Sequence, residues 1–371
     1  MKIVDVQAIP VRIPMRSPLK MAGATVTART CILVRLTSDE GLSGIGEGVI
    51  APYFTGETLA SAVHFVREVY TPFVLGADPF DVHTVGQQID KAVSGNSATR
   101  SALEIAMYDL AARSLGVPLY RLLGGKTRDR VPTIWHVSKT DPDENAAEAA
   151  VAAADGFRLI KVKVGTRLID QDVASVDAVR QAVGDDVGLL LDANQGYNVE
   201  EAVQFARRVE GARPLLIEQP VSRDNIVGMA EINRSTPMVI AADEGVFTAR
   251  DLYAHLHMQA VGGVVTKLIK AGGIAGVQQL MGIAQAAGIG VHFAGMAGET
   301  SVAAAAAVHL AAATKELRFG SGISPHYLTD DVVTTPLRPV NGAFEVPEGP
   351  GLGVEASDEA IDRLRVRDYD R

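Results

Sequence analysis

The chain has 371 residues, more than one ordinary compact core and enough for a large barrel carrying an added module. Its 47% hydrophobic and 21% charged residues are a globular balance with no disordered stretch, and a net charge of -9 with no basic run excludes nucleic acid and anionic membrane surfaces as partners. A lone cysteine, Cys31, lies in the apolar run Cys31-Ile32-Leu33-Val34; it excludes an internal disulfide or a cysteine metal cluster and reads as a buried thiol.

In chain order, residues 3–13, 30–36 and 42–48 read as antiparallel strands, with Ser38-Asp39-Glu40-Gly41 as the turn between the last two. Helical patterns follow at 58–74 and 98–115. From about residue 131, short Val, Ile and Leu runs alternate with longer amphipathic stretches, the pattern of parallel strands joined by crossover helices. Eight runs are counted: 131–138, 157–164, 187–194, 214–220, 237–244, 262–269, 288–295 and 317–322. Helix starts are marked by Asp141-Pro142-Asp143-Glu144 and by Asn198 with Glu201, and helix ends by Gly156 and Gly211. Units of this size predict a (β/α)-type barrel with its active site at the C-terminal ends of the strands. The predicted division is an α+β capping domain over 1–125, a barrel over 126–325, and a C-terminal tail over 326–371 that packs back on the cap. The acidic Asp5 near the start and an alanine-dominated longest apolar stretch, 301–313, predict neither export nor membrane insertion, hence a cytoplasmic protein.

Charges interrupt the strands in a regular way. Lys161 and Lys163 share one strand face by period two, and Asp192, Glu218, Asp243 and Lys267 each end an apolar run. From Lys163 the successive spacings are 29, 26, 25 and 24 residues, about one barrel unit each. One charge at a strand end is ordinary; five in phase converge on one mouth. Three carboxylates buried together need a counter-charge, and all-oxygen ligands favour a hard divalent cation, Mg2+ or Mn2+. The lysines then flank the metal, where a desolvated amine beside a cation is suited to act as base or acid. His136 and His292, in the first and seventh runs, read as core or supporting histidines, and Ala271-Gly272-Gly273 as a tight strand-to-helix turn.

Taken with Gly44-Ile45-Gly46-Glu47-Gly48, Asp192-Ala193-Asn194, Ile217-Glu218-Gln219-Pro220, Ala242-Asp243-Glu244, Lys267-Leu268-Ile269-Lys270-Ala271-Gly272-Gly273 and Gly349-Pro350-Gly351-Leu352-Gly353, this pattern resembles the enolase superfamily almost end to end. Within it, the chain is similar to the muconate lactonizing enzyme subgroup of the mandelate racemase/muconate lactonizing enzyme family. The resemblance implies a (β/α)7β-type TIM barrel whose cap is formed by both chain ends. It also implies Asp192, Glu218 and Asp243 as metal ligands, Lys163 and Lys267 as the acid/base pair, Lys161 as a charge partner, and Asn194 and Glu244 as residues supporting the ligands. Mandelate racemases carry a His-Asp dyad where Lys267 stands here. Dipeptide epimerases carry an Asp-x-Asp motif near the eighth strand, and none occurs at 294–301. That segment, with Glu299, instead resembles a Met-Leu-Glu-Gly-Ser segment of cycloisomerases, and Pro18-Leu19-Lys20-Met21-Ala22 resembles their substrate-capping loop. Lys20, Tyr53 and Glu299 are thereby expected to touch substrate. The function implied is muconate cycloisomerase-like, cis,cis-muconate to muconolactone through an enolate. The alternatives are a racemase or epimerase of N-acyl amino acids or dipeptides, an o-succinylbenzoate synthase-like enzyme, and, further off, a non-catalytic metal-binding barrel. The implied assembly is a homo-oligomer, octamer or smaller.

Overall fold

The computed structural model describes residues 1–21, 24–166 and 168–369, with the side chains of residues 20, 21 and 24 also outside the description. Strands β1 (Ile3–Met21), β2 (Ala24–Ser38) and β3 (Ser43–Ile50) form one antiparallel sheet in that order. β1 runs past the expected end at residue 13 because a register shift between Pro14 and Leu19 absorbs its prolines instead of ending the strand. On β3 the alternating glycines have a packing cause. A Cβ at Gly44, Gly46 or Gly48 would stand within 2.4, 1.9 or 2.1 Å of a carbonyl oxygen of helix Ser97–Ser114, so only glycine lets that helix lie directly on the sheet. The stretch expected as one helix over 58–74 is Leu59–His64, capped by Thr58, then a π-helical turn Phe65–Tyr70 and a last turn Thr71–Val74.

The first barrel run is divided. β4 (Arg130–Pro132) leaves the barrel and pairs antiparallel with β13 (Ala343–Glu345) of the tail, so the first barrel strand is the shorter β5 (Trp135–Val137). After it come β6 (Leu159–Lys163), β7 (Gly188–Asp192), β8 (Leu216–Glu218), β9 (Ile240–Ala242), β10 (Gly263–Thr266), β11 (Gly290–Ala294) and β12 (Ser321–Gly322), every neighbour parallel. A parallel bridge between Thr133 and Ser321 joins the two ends of this eight-stranded sheet, and Thr133 Oγ1 donates to Ile323 O at 2.7 Å. Leu190, Leu216, Ala241, Val265 and Phe319 fill the barrel interior, so its charges are confined to one end.

The tail returns to the cap. Leu352 N donates to Asp109 Oδ1 at 2.7 Å, Arg113 pairs with Glu355 at 2.9 Å, and Val366 N donates to Pro10 O at 2.9 Å. Gly351, at φ 68°, is required here: a Cβ would stand 2.0 Å from Asp109 Oδ1.

Candidate active site

Strand register brings the charges level. Lys163 is paired with Asp192 across β6 and β7, Asp192 with Glu218 across β7 and β8, and Asp243 and Lys267 directly follow β9 and β10. β6 and β10 are four strands apart in a closed barrel of eight, so Lys163 and Lys267 face one another across its mouth. All six predicted charges are nearly removed from solvent, from 1% exposed at Glu218 and Asp243 to 7% at Lys267. Lys161 Nζ donates to Glu218 Oε2 at 2.7 Å and Lys163 Nζ to Asp192 Oδ2 at 2.5 Å and Asn194 Oδ1 at 2.7 Å. Lys267 is hydrogen-bonded to Asp243 Oδ2, and its ammonium sits 4.6 Å from the Phe54 ring centroid. Asn194 Nδ2 donates to Glu244 Oε1 at 3.1 Å, so the two expected supporting residues are bonded to each other.

The turns after the strands are held in the left-handed region at Asn194 (φ 40°), Gln195 (φ 69°) and Gln219 (φ 37°), a strain that accompanies functional sites when the surroundings fix it. Gln219 does part of that fixing: its Oε1 accepts from Asp243 N and Gly245 N, each at 3.0 Å.

Burial and pairing set the electrostatics. Burial pushes the Glu218 carboxyl up to about 8, helped by Asp192 and opposed by Lys161, and Glu218 Oε1 is buried without a partner. Burial also works against the Asp243 carboxylate, but Lys267 and Lys270 outweigh it and hold Asp243 well below the usual range. Against its own desolvation the Lys267 ammonium is favoured by Asp243, Glu218 and Glu244, and its pKa goes up. A desolvated amine beside a cation, as the sequence suggested, would have its protonated form disfavoured; with carboxylates as their neighbours, Lys267 and Lys161 are shifted the opposite way. Among the described residues no three His, Cys, Asp or Glu side chains converge as a ligand set, since each carboxylate is turned toward a lysine.

These residues line a cavity of about 160 Å³ between barrel and cap. Residues 144–360 match the family described as Enolase C-terminal domain-like, and residues 3–124 the Mandelate racemase / muconate lactonizing enzyme, N-terminal domain. The chain belongs to the enolase superfamily, in its mandelate racemase/muconate lactonizing enzyme family. Relatives within it include an L-Ala-D/L-Glu epimerase of Bacillus subtilis (34% identical, 95% of this chain and 97% of the relative), an N-succinyl-L-Arg/Lys racemase of Bacillus cereus (32%, 99% and 98%) and muconate cycloisomerase 1-2 of Acinetobacter lwoffii (32%, 98% and 95%). The crystal structure of an N-succinyl Arg/Lys racemase from Bacillus cereus superposes with a TM-score of 0.94 at 31% identity, covering 99% of this chain and 98% of that one. A dipeptide epimerase from Enterococcus faecalis, solved with Mg and the dipeptide L-Leu-L-Tyr, gives 0.91 at 32% identity, 96% and 100%. The chain is thus an enzyme of the enolase superfamily, and its relatives at similar identity carry out different reactions. No helix among the described residues is long and apolar enough to cross a membrane.

The rest of the cavity wall includes residues of the cap. Tyr53 lines it, 52% exposed, and its hydroxyl accepts from Arg29 Nη1 at 3.2 Å. The side chain of Lys20 lies outside the described residues; its neighbour Leu19 lines the cavity. Glu299 is a correction. It is buried behind Gly295, where an added Cβ would stand 1.9 Å from Glu299 Oε1, and it does not line the cavity. Burial, with Glu47 nearby, pushes its pKa well up, so it favours the neutral acid in the core. The segment 294–301 follows the seventh barrel strand; the eighth, Ser321–Gly322, carries no carboxylate either.

Two further residues, Lys270 and Arg29, had no part in the sequence reading, and the strand histidines His136 and His292 had only a core or supporting one. His136 lines the cavity from β5, its Nδ1 buried without a partner, and burial with Lys161 and Lys163 holds its pKa well below the usual value. His292 is a core histidine, with Nδ1 at 2.9 Å from Phe319 O. Lys270 lies fully buried beneath Asp243, donating to its Oδ1 at 2.8 Å and to Val265 O at 2.7 Å; a lysine three residues after Lys267 in a helical turn was the available signal. Arg29 enters from the cap on β2.

Proposed function

We propose that this enzyme is a metal-assisted isomerase of small dicarboxylates, cycloisomerising cis,cis-muconate or a close relative of it. The observation that carries the reading is a small cavity with a lysine on either side and no carboxylate set apart from the charge cluster. The lining carboxylates among the described residues are Asp192, Glu218, Asp243 and Glu244, all within the cluster that is hydrogen-bonded to the lysines or to Asn194, so no separate carboxylate stands on the far wall for a substrate ammonium, as a dipeptide carries. At about 160 Å³ the space is below the range of roughly 300 Å³ and upward typical of drug-sized ligands, which suits a six-carbon diacid.

Asp192, Glu218 and Asp243 are oxygen donors of the type a hard cation takes, at three neighbouring strand ends; each is turned toward a lysine and would have to turn inward to bind one, and the partnerless Glu218 Oε1 is that of a carboxylate short of positive charge. Asp192, Glu218 and Asp243 would hold Mg2+ or Mn2+, a reading that the Mg-bound epimerase relative supports. When bound, such an ion supplies stabilisation of the charge that grows on the substrate carboxylate. The chain's own groups do the rest. The second carboxylate of the diacid adds to the diene, a C–O bond forms, and the electron pair shifts toward the α carbon of the first. Lys163 or Lys267 then delivers its proton to that carbon and is reprotonated by solvent. Lys161, hydrogen-bonded to Glu218, supplies positive charge beside the carboxylate cluster.

A second reading, racemisation of an N-acyl amino acid, draws on the opposition of Lys163 and Lys267, which places a base on one face and an acid on the other. One experiment separates them. With Mg2+ in deuterated solvent, cis,cis-muconate is expected to give a lactone carrying one solvent deuteron, and EDTA to stop it reversibly. No lactone, alongside α-proton exchange of an N-acyl amino acid, would replace the first reading with the second.

A further inference from the structure

Among the described residues Arg29 is a buried cation with no carboxylate hydrogen-bonded to it. It is 3% exposed, and its partners are neutral: Nε donates to Ala297 O at 2.6 Å and Nη1 to the Tyr53 hydroxyl at 3.2 Å. Among the described residues no ion pair includes it and Nη2 has no hydrogen-bond partner. Two buried acids stand in this part of the core. Glu47 accepts from Thr300 and from Ala303 N, and Glu299, on which Arg29 acts only through its charge, is hydrogen-bonded to none of the three Arg29 nitrogens. A buried, uncompensated guanidinium is costly, and folds keep one where an anion completes it. The remaining N–H groups form a planar fork, the geometry that receives a carboxylate through two parallel hydrogen bonds.

The placement says which carboxylate. Arg29 lies on β2 of the cap sheet, whereas the carboxylate cluster and the lysines rise from barrel strands, and both line the same cavity. A ligand whose first carboxylate is at the metal end therefore presents its other end to the cap. The Ala297 carbonyl belongs to the segment following β11, so one hydrogen bond fixes the guanidinium relative to the barrel, and Tyr53 fixes it relative to the cap. Gly298, at φ 87°, packs against the stem: a Cβ there would meet Arg29 Cγ at 3.1 Å.

We infer that Arg29, held by Ala297 O and Tyr53, is the specificity residue that receives the second carboxylate of the substrate. This rests on the dicarboxylate reading above but is tested without turnover. Binding of adipate and of hexanoate, equal in length and differing by one carboxylate, is measured by calorimetry with Mg2+ present. The wild type is expected to prefer adipate by roughly tenfold to a hundredfold, the range of a charge-assisted pair of hydrogen bonds. Arg29→Met should bind both alike while keeping the wild-type affinity for hexanoate, and Arg29→Lys, which keeps the charge without the fork, should fall between. Tyr53→Phe should lose part of the preference. The assignment is overturned if the wild type shows no preference for adipate, if Arg29→Met keeps it, or if Arg29→Met weakens both ligands equally. Should Arg29→Met not fold, an unchanged adipate preference in both Arg29→Lys and Tyr53→Phe overturns it as well. A chain that prefers adipate through Arg29 but makes no lactone from muconate would refute the proposed reaction and leave this assignment standing.

Discussion

The barrel mouth and the cap edge meet at one cavity but are built by different rules. On the barrel side each charged group sits at a strand end, its height set by sheet register and its partner by the next strand, so Lys163, Asp192 and Glu218 stand level without any loop deciding it. On the cap side Leu19 and Arg29 come from two strands of another sheet and Tyr53 from a short helix, half exposed. Rigid strands hold geometry to the tolerance that proton transfer needs, whereas a cap edge can exchange side chains without disturbing that geometry. A charge centre fixed by strand register, beside a separate wall supplied by the cap, follows from that division of labour.

The comparison breaks if cap and barrel residues are interchangeable in effect. Lys163→Ala and Lys267→Ala should each lower kcat for lactonisation by about 10^2 to 10^4, the range of general acid/base groups. Their losses should be unequal, because one lysine donates the proton and the other supports charge, while Tyr53→Phe should cost less than tenfold. Steady-state kinetics on the three variants decides this; a Tyr53→Phe loss as large as either lysine's would place chemistry on the cap.

A smaller effect sharpens the boundary between the regions. Glu104, on the cap helix Ser97–Ser114, accepts from Ala275 N at 2.8 Å at the start of the barrel helix Ile274–Ala286, and burial pushes its pKa up to about 7. A folded-state pKa above the ordinary value means the folded chain holds the proton more tightly. The stabilisation is then complete below about pH 4.5 and is lost as pH rises through about 7. Relative to Glu104→Gln, the wild type should lose up to about 3 kcal/mol between pH 5 and pH 8 in denaturant unfolding. Parallel stability curves would show that this contact carries no coupling.

The same division governs what could be read from the sequence. Six charges interrupting apolar runs at the barrel period were legible because strand alternation and strand length fix both face and height. The glycines of β3 were visible as a motif, but their cause, a helix lying on the sheet, needs the tertiary contact. The split of the first barrel run was hidden because Arg130–Pro132 has the same apolar pattern whether it joins the barrel or the tail strand Ala343–Glu345. Glu299 misled for a related reason: acidic type and distance from a strand match a ligand contact, but one turn's geometry sends the side chain behind Gly295. Arg29 was illegible because an arginine in an amphipathic strand is usually solvated, and only burial without a counter-ion marks it out.

The central claim is that the barrel mouth is a metal-assisted proton-transfer centre, and the most direct test is metal binding itself. Mn2+ titrated into the metal-free protein and followed by electron paramagnetic resonance should show one tight site per chain, lost in Glu218→Gln and in Asp243→Asn but retained in Arg29→Met. Equal Mn2+ binding by wild type and Glu218→Gln, or none by either, would contradict the account.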